Sequence, residues 1–206
     1  MTRFLKLTIV SLAALLCCGT AAAVDATAAS LLQGLRKKMG APTVEVFFTI
    51  NGGDGPVQGS ALMSGTKIAM TTPLMCVWYD GTTQWTYLTK NRELNISQPD
   101  ASELLVTNPF AILSADASAY KARRLSDAYG MRRVELVPTD DASGIASIIV
   151  SINPEDSWPS AIKVTFTDNR SIGLAVDRIR KTDASPISAF RYNKAAYPAD
   201  EIIDLR

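Results

Sequence analysis

The residue types that carry most catalytic chemistry are absent or isolated in this chain of 206 residues. It has no histidine, which removes the commonest general base and the commonest metal ligand. A Ser-His-Asp or Cys-His nucleophile therefore cannot be built. Cys17 and Cys18 lie in an apolar N-terminal run, and Cys76 stands among apolar residues, where it reads as a small hydrophobe. Asn51-Gly52-Gly53-Asp54-Gly55 resembles half of a calcium loop. The downstream acidic ligand that would complete such a loop is missing, so the segment reads as a turn. No catalytic, metal-binding or cofactor-binding residues are assigned, and a protein without enzymatic activity is expected.

What the chain does carry is binding chemistry. Residues 59–96 form five short apolar-alternating runs separated by turn formers, the pattern of an antiparallel meander. Their load of Met63, Met70, Met75, Trp78, Tyr79, Trp85 and Tyr87 supplies a dry, adaptable surface suited to a greasy ligand. In the run 75–80 both faces are apolar, with Met75, Val77 and Tyr79 on one and Cys76 and Trp78 on the other. Such a strand needs cover on both sides, or a cavity. The expected cavity is lined from the strands by Phe48, Met63, Ile68, Met70, Met75, Val77, Trp78, Trp85, Tyr87 and Leu94. From the helical piece that follows it takes Leu104, Leu105, Phe110 and Leu113.

The elements that position these residues are legible in outline. Ala28, Leu31, Leu32, Leu35 and Met39 recur at helical spacing, stopped by Gly40 and Pro42. Val44, Val46, Phe48 and Ile50 alternate as one strand face. Pro99 and Asp100 open a second helical piece, which Asn108-Pro109 splits because proline disfavours helix at the residue before it. A broken apolar helix beside the meander is either a lid or core packing with a kink. Further strands are expected over 120–125, 132–137, 146–152, 161–167 and 171–180, each followed by turn formers. Arg123, Arg124, Arg132 and Arg133 could meet across one hairpin as a patch for an acidic partner, or stand as solvated sheet positions.

The N-terminus sets the compartment. Arg3 and Lys6 precede an apolar run too short to span a bilayer, and Ala21-Ala22-Ala23 offers a signal-peptidase site. Residues 1–23 are therefore expected to be a cleavable secretory signal, and 24–206 a single exported domain. Cleavage removes two cations and no acid, taking the formal net charge from +1 to −1. A near-neutral protein has no electrostatic case for nucleic acid.

The ordered set resembles the periplasmic outer-membrane lipoprotein carrier family, the LolA-like proteins. The resemblance rests on Gly59 with its strand, on Asp80-Gly81-Thr82-Thr83-Gln84-Trp85-Thr86-Tyr87, and on residues 91–96. It rests also on Thr107-Asn108-Pro109-Phe110 and on Phe190-Arg191-Tyr192 with residues 198–204. It implies an α+β fold, a curved, incompletely closed antiparallel β half-barrel covered by short helices. It also implies a monomeric periplasmic chaperone for lipoprotein sorting, without cofactor, that holds lipoprotein acyl chains or another lipid between sheet and helices. Such a carrier takes cargo from an inner-membrane lipoprotein transporter and passes it to an outer-membrane acceptor. An envelope sensor or interaction module of the same fold, binding a protein or lipid partner without transport, is the alternative. Many members carry an Arg-Pro pair that holds the lid shut; here the corresponding stretch reads Ser64-Gly65-Thr66-Lys67.

Overall fold

The computed structural model describes residues 26–40, 43–52, 55–115 and 117–206. The expected signal, residues 1–23, lies outside the described residues, as do Gly53 and Asp54 of the expected turn. Helix α1 (Ala26–Gly40) buries Ala28, Leu32, Leu35 and Met39, the stripe its spacing dictates, and keeps Lys37 and Lys38 in the last turn, where they complement the helix dipole. Six strands follow: β1 (Val44–Asn51), β2 (Val57–Ser64), β3 (Lys67–Thr71), β4 (Met75–Tyr79), β5 (Gln84–Leu88) and β6 (Glu93–Ser97). Helix α2 (Ala101–Thr107) and a 3-10 turn (Pro109–Leu113) come next. The chain then returns as β7 (Tyr120–Ala128), β8 (Met131–Pro138), β9 (Ile145–Ile152), β10 (Pro159–Phe166) and β11 (Ser171–Lys181), and ends in β12 (Glu201–Asp204).

All twelve strands belong to one sheet, ordered β12-β6-β5-β4-β3-β2-β1-β11-β10-β9-β8-β7. Its two end strands do not pair with each other, so the sheet is open. Helix α1 touches β2 and also β8 and β7, which lie five and six places away in the sheet order; the sheet therefore curls around the helix. Every pairing is antiparallel except β12 with β6, which is parallel. A wholly antiparallel sheet was the expectation, and the exception has a topological cause. The chain crosses the outer face after β11 before it reaches β12, and a long crossover permits parallel entry.

Two apolar layers result. The main core lies on the inner face, where Val44, Val46, Phe48, Ala61, Met63, Ile68, Met70 and Val77 meet residues of α1 and of the 3-10 turn. A second cluster of Cys76, Trp78, Tyr87 and Leu94 lies on the outer face, under Tyr192, Tyr197 and Ala199 of the C-terminal segment. Trp78 meets Tyr197 edge-on at 4.9 Å between ring centroids, and the Tyr87 hydroxyl donates to the Pro198 carbonyl at 3.2 Å. The doubly apolar β4 is thus covered on both sides, by helices within and by the tail without.

Two ion pairs fasten that tail, Arg92 to Asp200 at 3.2 Å and Arg191 to Asp80. The Arg191 Nε donates to Asp80 Oδ2 at 2.9 Å, and the same carboxylate accepts from the Thr82 and Thr83 amides. Burial alone would raise the Asp80 carboxyl. The Thr83 and Thr82 amides and the Arg191 guanidinium overcome this and hold it below the usual carboxylate range. A depressed folded-state value means that the stabilisation is complete above the unfolded value of 3.8 and is lost as pH falls through the folded one. Asp80→Asn keeps an acceptor for the turn amides and loses the ion pair. It is expected to cost about 1 kcal/mol at pH 7, the worth of one partly exposed charged hydrogen bond, and to flatten the acid limb of stability below about pH 4. Because Cys76 is only 2% exposed beneath the tail, faster thiol labelling in this variant would report the tail lifting. Unchanged labelling and an unchanged acid limb would refute the fastening role.

Candidate functional site

The helical cover is fixed by local hydrogen bonds. Asp100 caps α2: its Oδ1 accepts from the Ser102 and Glu103 amides at 2.8 Å each, and Glu103 Oε2 accepts the Asp100 amide at 3.0 Å. This reciprocal box fixes the entry to a helix of only seven residues. The break falls where proline requires it. Asn108 ends α2, and its buried side chain accepts the Phe110 amide at 3.1 Å, starting the 3-10 turn. That turn presses Phe110, Ile112 and Leu113 onto the sheet, with Phe110 edge-on to Phe48 at 5.5 Å.

A cavity of about 820 Å³ opens beside this cover, between α2, the β3–β4 turn and the ends of β1, β10 and β11. Its apolar wall includes Ile50, Met75, Val106, Pro109, Phe166 and Ile172. Leu74 and Val106 line it while 64% and 51% exposed, which gives it an apolar mouth. Asp168 and Arg170 stand at the rim, paired with each other at 2.6 Å. Asp168 is held below the usual range by the Arg170 side chain and amide. A second cavity, of about 960 Å³, lies under the other end of the helical layer, between α1 and β7–β8.

The expected cavity residues divide among three environments. Phe48, Met63, Ile68, Met70, Val77, Leu105, Phe110 and Leu113 are close-packed in the inner core, with Leu104 and Met75 packed against it. Met75 lines the α2 cavity, and Met63 with Leu113 lines a pocket of about 220 Å³. Trp78, Trp85, Tyr87 and Leu94 face the other way and belong to the outer cluster under the tail, which corrects their assignment to the cavity. The physical reason is a change of apolar side between β4 and β5. Cys76 stands opposite Tyr87 and Trp78 opposite Trp85, which leaves Gln84, Thr86 and Asn95 on the inner face. Sequence reasoning missed Val57, Leu74, Val106 and Phe166. Val106 carried the one available signal, an apolar residue beside Leu105 where a helix covered on one side would show a polar one.

The four arginines do not form one patch. In the β7–β8 register Arg123 stands opposite Glu135 and Arg124 opposite Val134, so strand alternation puts Arg123 and Arg133 on one face and Arg124 and Arg132 on the other. Arg123 is paired with Glu135, and Arg124 with Asp127 and with the Leu125 and Arg133 carbonyls. Where the Arg-Pro pair of the resembling proteins would fall, β2 and β3 join through Gly65-Thr66, with Gly65 at φ +61°. Arg36 of α1 lines the small pocket beside this turn, with Gly65, Thr66 and Leu113.

Among the described residues no helix is long and apolar enough to cross a membrane, and no three acidic or cysteine side chains converge on a metal-sized site. No curated protein sequence matches the chain. An uncharacterized conserved protein from Thermus thermophilus superposes with a TM-score of 0.58 at 12% identity, over 86% of this chain and 99% of that one. A DUF1329 family protein from Desulfovibrio piger gives 0.51 at 9% identity, over 83% and 98%. A putative outer membrane lipoprotein-sorting protein domain from Vibrio parahaemolyticus gives 0.48 at 13%, over 83% and 98%. The first two likenesses are of fold. In sequence, residues 22–168 match the family described as outer membrane lipoprotein carrier protein LolA, and the chain belongs to that family.

Proposed function

We propose that this protein is a non-enzymatic periplasmic carrier that holds acyl chains of lipoproteins in the cavity beneath α2 and moves them from the inner to the outer membrane. One observation carries this function: an apolar cavity of about 820 Å³ with Leu74 and Val106 exposed at its mouth. Its size is that of a small-molecule site. Each methylene it removes from water is worth about 0.8 kcal/mol, so half of one acyl chain gives useful affinity. A shuttle needs such a site: apolar enough to hold a chain, open enough to release it. Export through residues 1–23 would place the carrier between the two membranes, with an inner-membrane transporter as donor and an outer-membrane acceptor as recipient.

The test is titration of the delipidated protein with a fluorescent triacylated lipopeptide. Val106→Glu puts a charge in the mouth without touching the core and is expected to weaken uptake at least tenfold. Arg132→Ala is expected to leave uptake unchanged. No saturable uptake by the unaltered protein, or equal losses in both variants, would refute the assignment.

A further inference from the structure

The second cavity has a different chemical character from the first. Ala29, Leu32, Gln33 and Arg36 recur along one stripe of α1 and face Tyr120, Ala122 and Leu136 of β7 and β8. The floor is apolar, while Arg36, Lys121, Arg123 and Glu135 also border it. Arg123 and Glu135 neutralise each other at 2.5 Å. Arg36 and Lys121 have no ion-pair partner among the described residues, and the described lining carries three cations, Arg36, Lys121 and Arg123, against one anion, Glu135. The Arg36 Nε is buried and makes no hydrogen bond. A buried donor without an acceptor is costly, so the Arg36 side chain gains by turning toward an anionic acceptor offered in the cavity.

We propose that this cavity binds a single-chain amphiphile with a carboxylate head, a free fatty acid, with the carboxylate on Arg36 and the chain along Leu32, Ala122 and Leu136. The planar guanidinium matches a carboxylate with two parallel hydrogen bonds. An ester- or amide-linked acyl chain brings no charge to Arg36, so this site selects a different ligand from the α2 cavity and does not depend on lipoprotein binding there. The Tyr120 ring walls the site. Burial pushes its hydroxyl up while the Arg36 charge pulls the other way, so at neutral pH it stays a neutral donor.

Calorimetric titration with decanoate and with uncharged decyl glucoside, both below micelle formation, tests this. Decanoate is expected to bind about tenfold tighter than the glucoside, the worth of one charge-assisted hydrogen bond, and to lose that advantage at high salt. In Arg36→Gln, with an unchanged circular dichroism spectrum, the preference is expected to vanish, and Val106→Glu is expected to leave it intact. Should Arg36→Gln fail to fold, the carboxyl carbon resonance of labelled decanoate decides the matter in the unaltered protein. Its pKa should fall on binding if a cation holds the head and rise if the head is merely buried. Equal affinities, a raised carboxyl pKa, or an Arg36-independent preference would overturn the proposal. Tighter, Arg36-dependent binding of decyl phosphate would overturn the carboxylate assignment in favour of a phosphate-headed lipid.

Discussion

Phe110→Ala is expected to destabilise the fold by about 3–5 kcal/mol, the range for truncating a fully buried aromatic ring. Phe110 has no exposed surface, and its ring stands edge-on to Phe48 at the centre of the inner core. Its backbone is held by Asn108, whose side chain accepts the Phe110 amide and whose carbonyl accepts that of Ala111 at 3.0 Å. The neighbouring Ile112 and Leu113 are 1% and 4% exposed, so little slack remains to refill the void. Urea unfolding should show a lower midpoint with an unchanged slope. The result also separates two roles for this segment. A loss below about 1 kcal/mol would mean that the 3-10 turn is a lid that spends much time off the sheet, since deleting a ring from an open lid creates no cavity. A loss in the expected range makes the turn a fixed part of the core. Motion would then belong to α2, whose outer side carries the exposed Val106.

That distinction marks the limit of what was legible in the sequence. The helix break at Asn108-Pro109, the cap at Asp100 and the strands of the second half follow from local rules, and the structure places them within a few residues of expectation. Local rules also show that β4 is apolar on both faces, but not which neighbour covers which face. Trp85 and Tyr87 alternate with Gln84 and Thr86 just as inner-face residues would, so parity alone cannot assign a side. What decides it is a tertiary fact, the return of Tyr192 and Tyr197 over the outer face from more than 100 positions later. The cavities were harder still, because a void is bounded by residues that contribute little to periodicity, such as Val57 and Phe166 at strand ends. The methionine- and aromatic-rich surface that suggested a binding site is mostly packed away, Met63 and Met70 in the inner core and Trp78 and Tyr87 under the tail.

Gly59→Ala is expected to destabilise by about 1–3 kcal/mol, the usual cost of overpacking, although it adds one methyl group at an ordinary backbone angle. A Cβ there would lie 2.6 Å from Cζ and 2.8 Å from Cε2 of Phe48, and 2.8 Å from the Thr71 carbonyl oxygen. The Phe48 ring lies across the glycine from the neighbouring strand, where the two residues are paired, an arrangement by which an aromatic ring covers the gap a strand glycine leaves. A turn of the ring toward Phe110 meets a ring already in contact. The Thr71 carbonyl belongs to β3, whose register with β2 pairs Thr71 with Ser60, so it can retreat only by breaking the ladder. The two obstacles are separable by a double-mutant cycle. If the ring is the barrier, Phe48→Leu should recover most of the loss caused by Gly59→Ala. If the carbonyl is the barrier, the losses should add. Should Gly59→Ala change the urea midpoint by less than the equivalent of about 0.5 kcal/mol, the close approach of β1, β2 and β3 at this point would not be a constraint on the fold. In the expected case, the glycine that opens the lipoprotein-carrier-like stretch is there for a packing reason: it lets Phe48 lie flat across β2 and reach the ring of the helical cover.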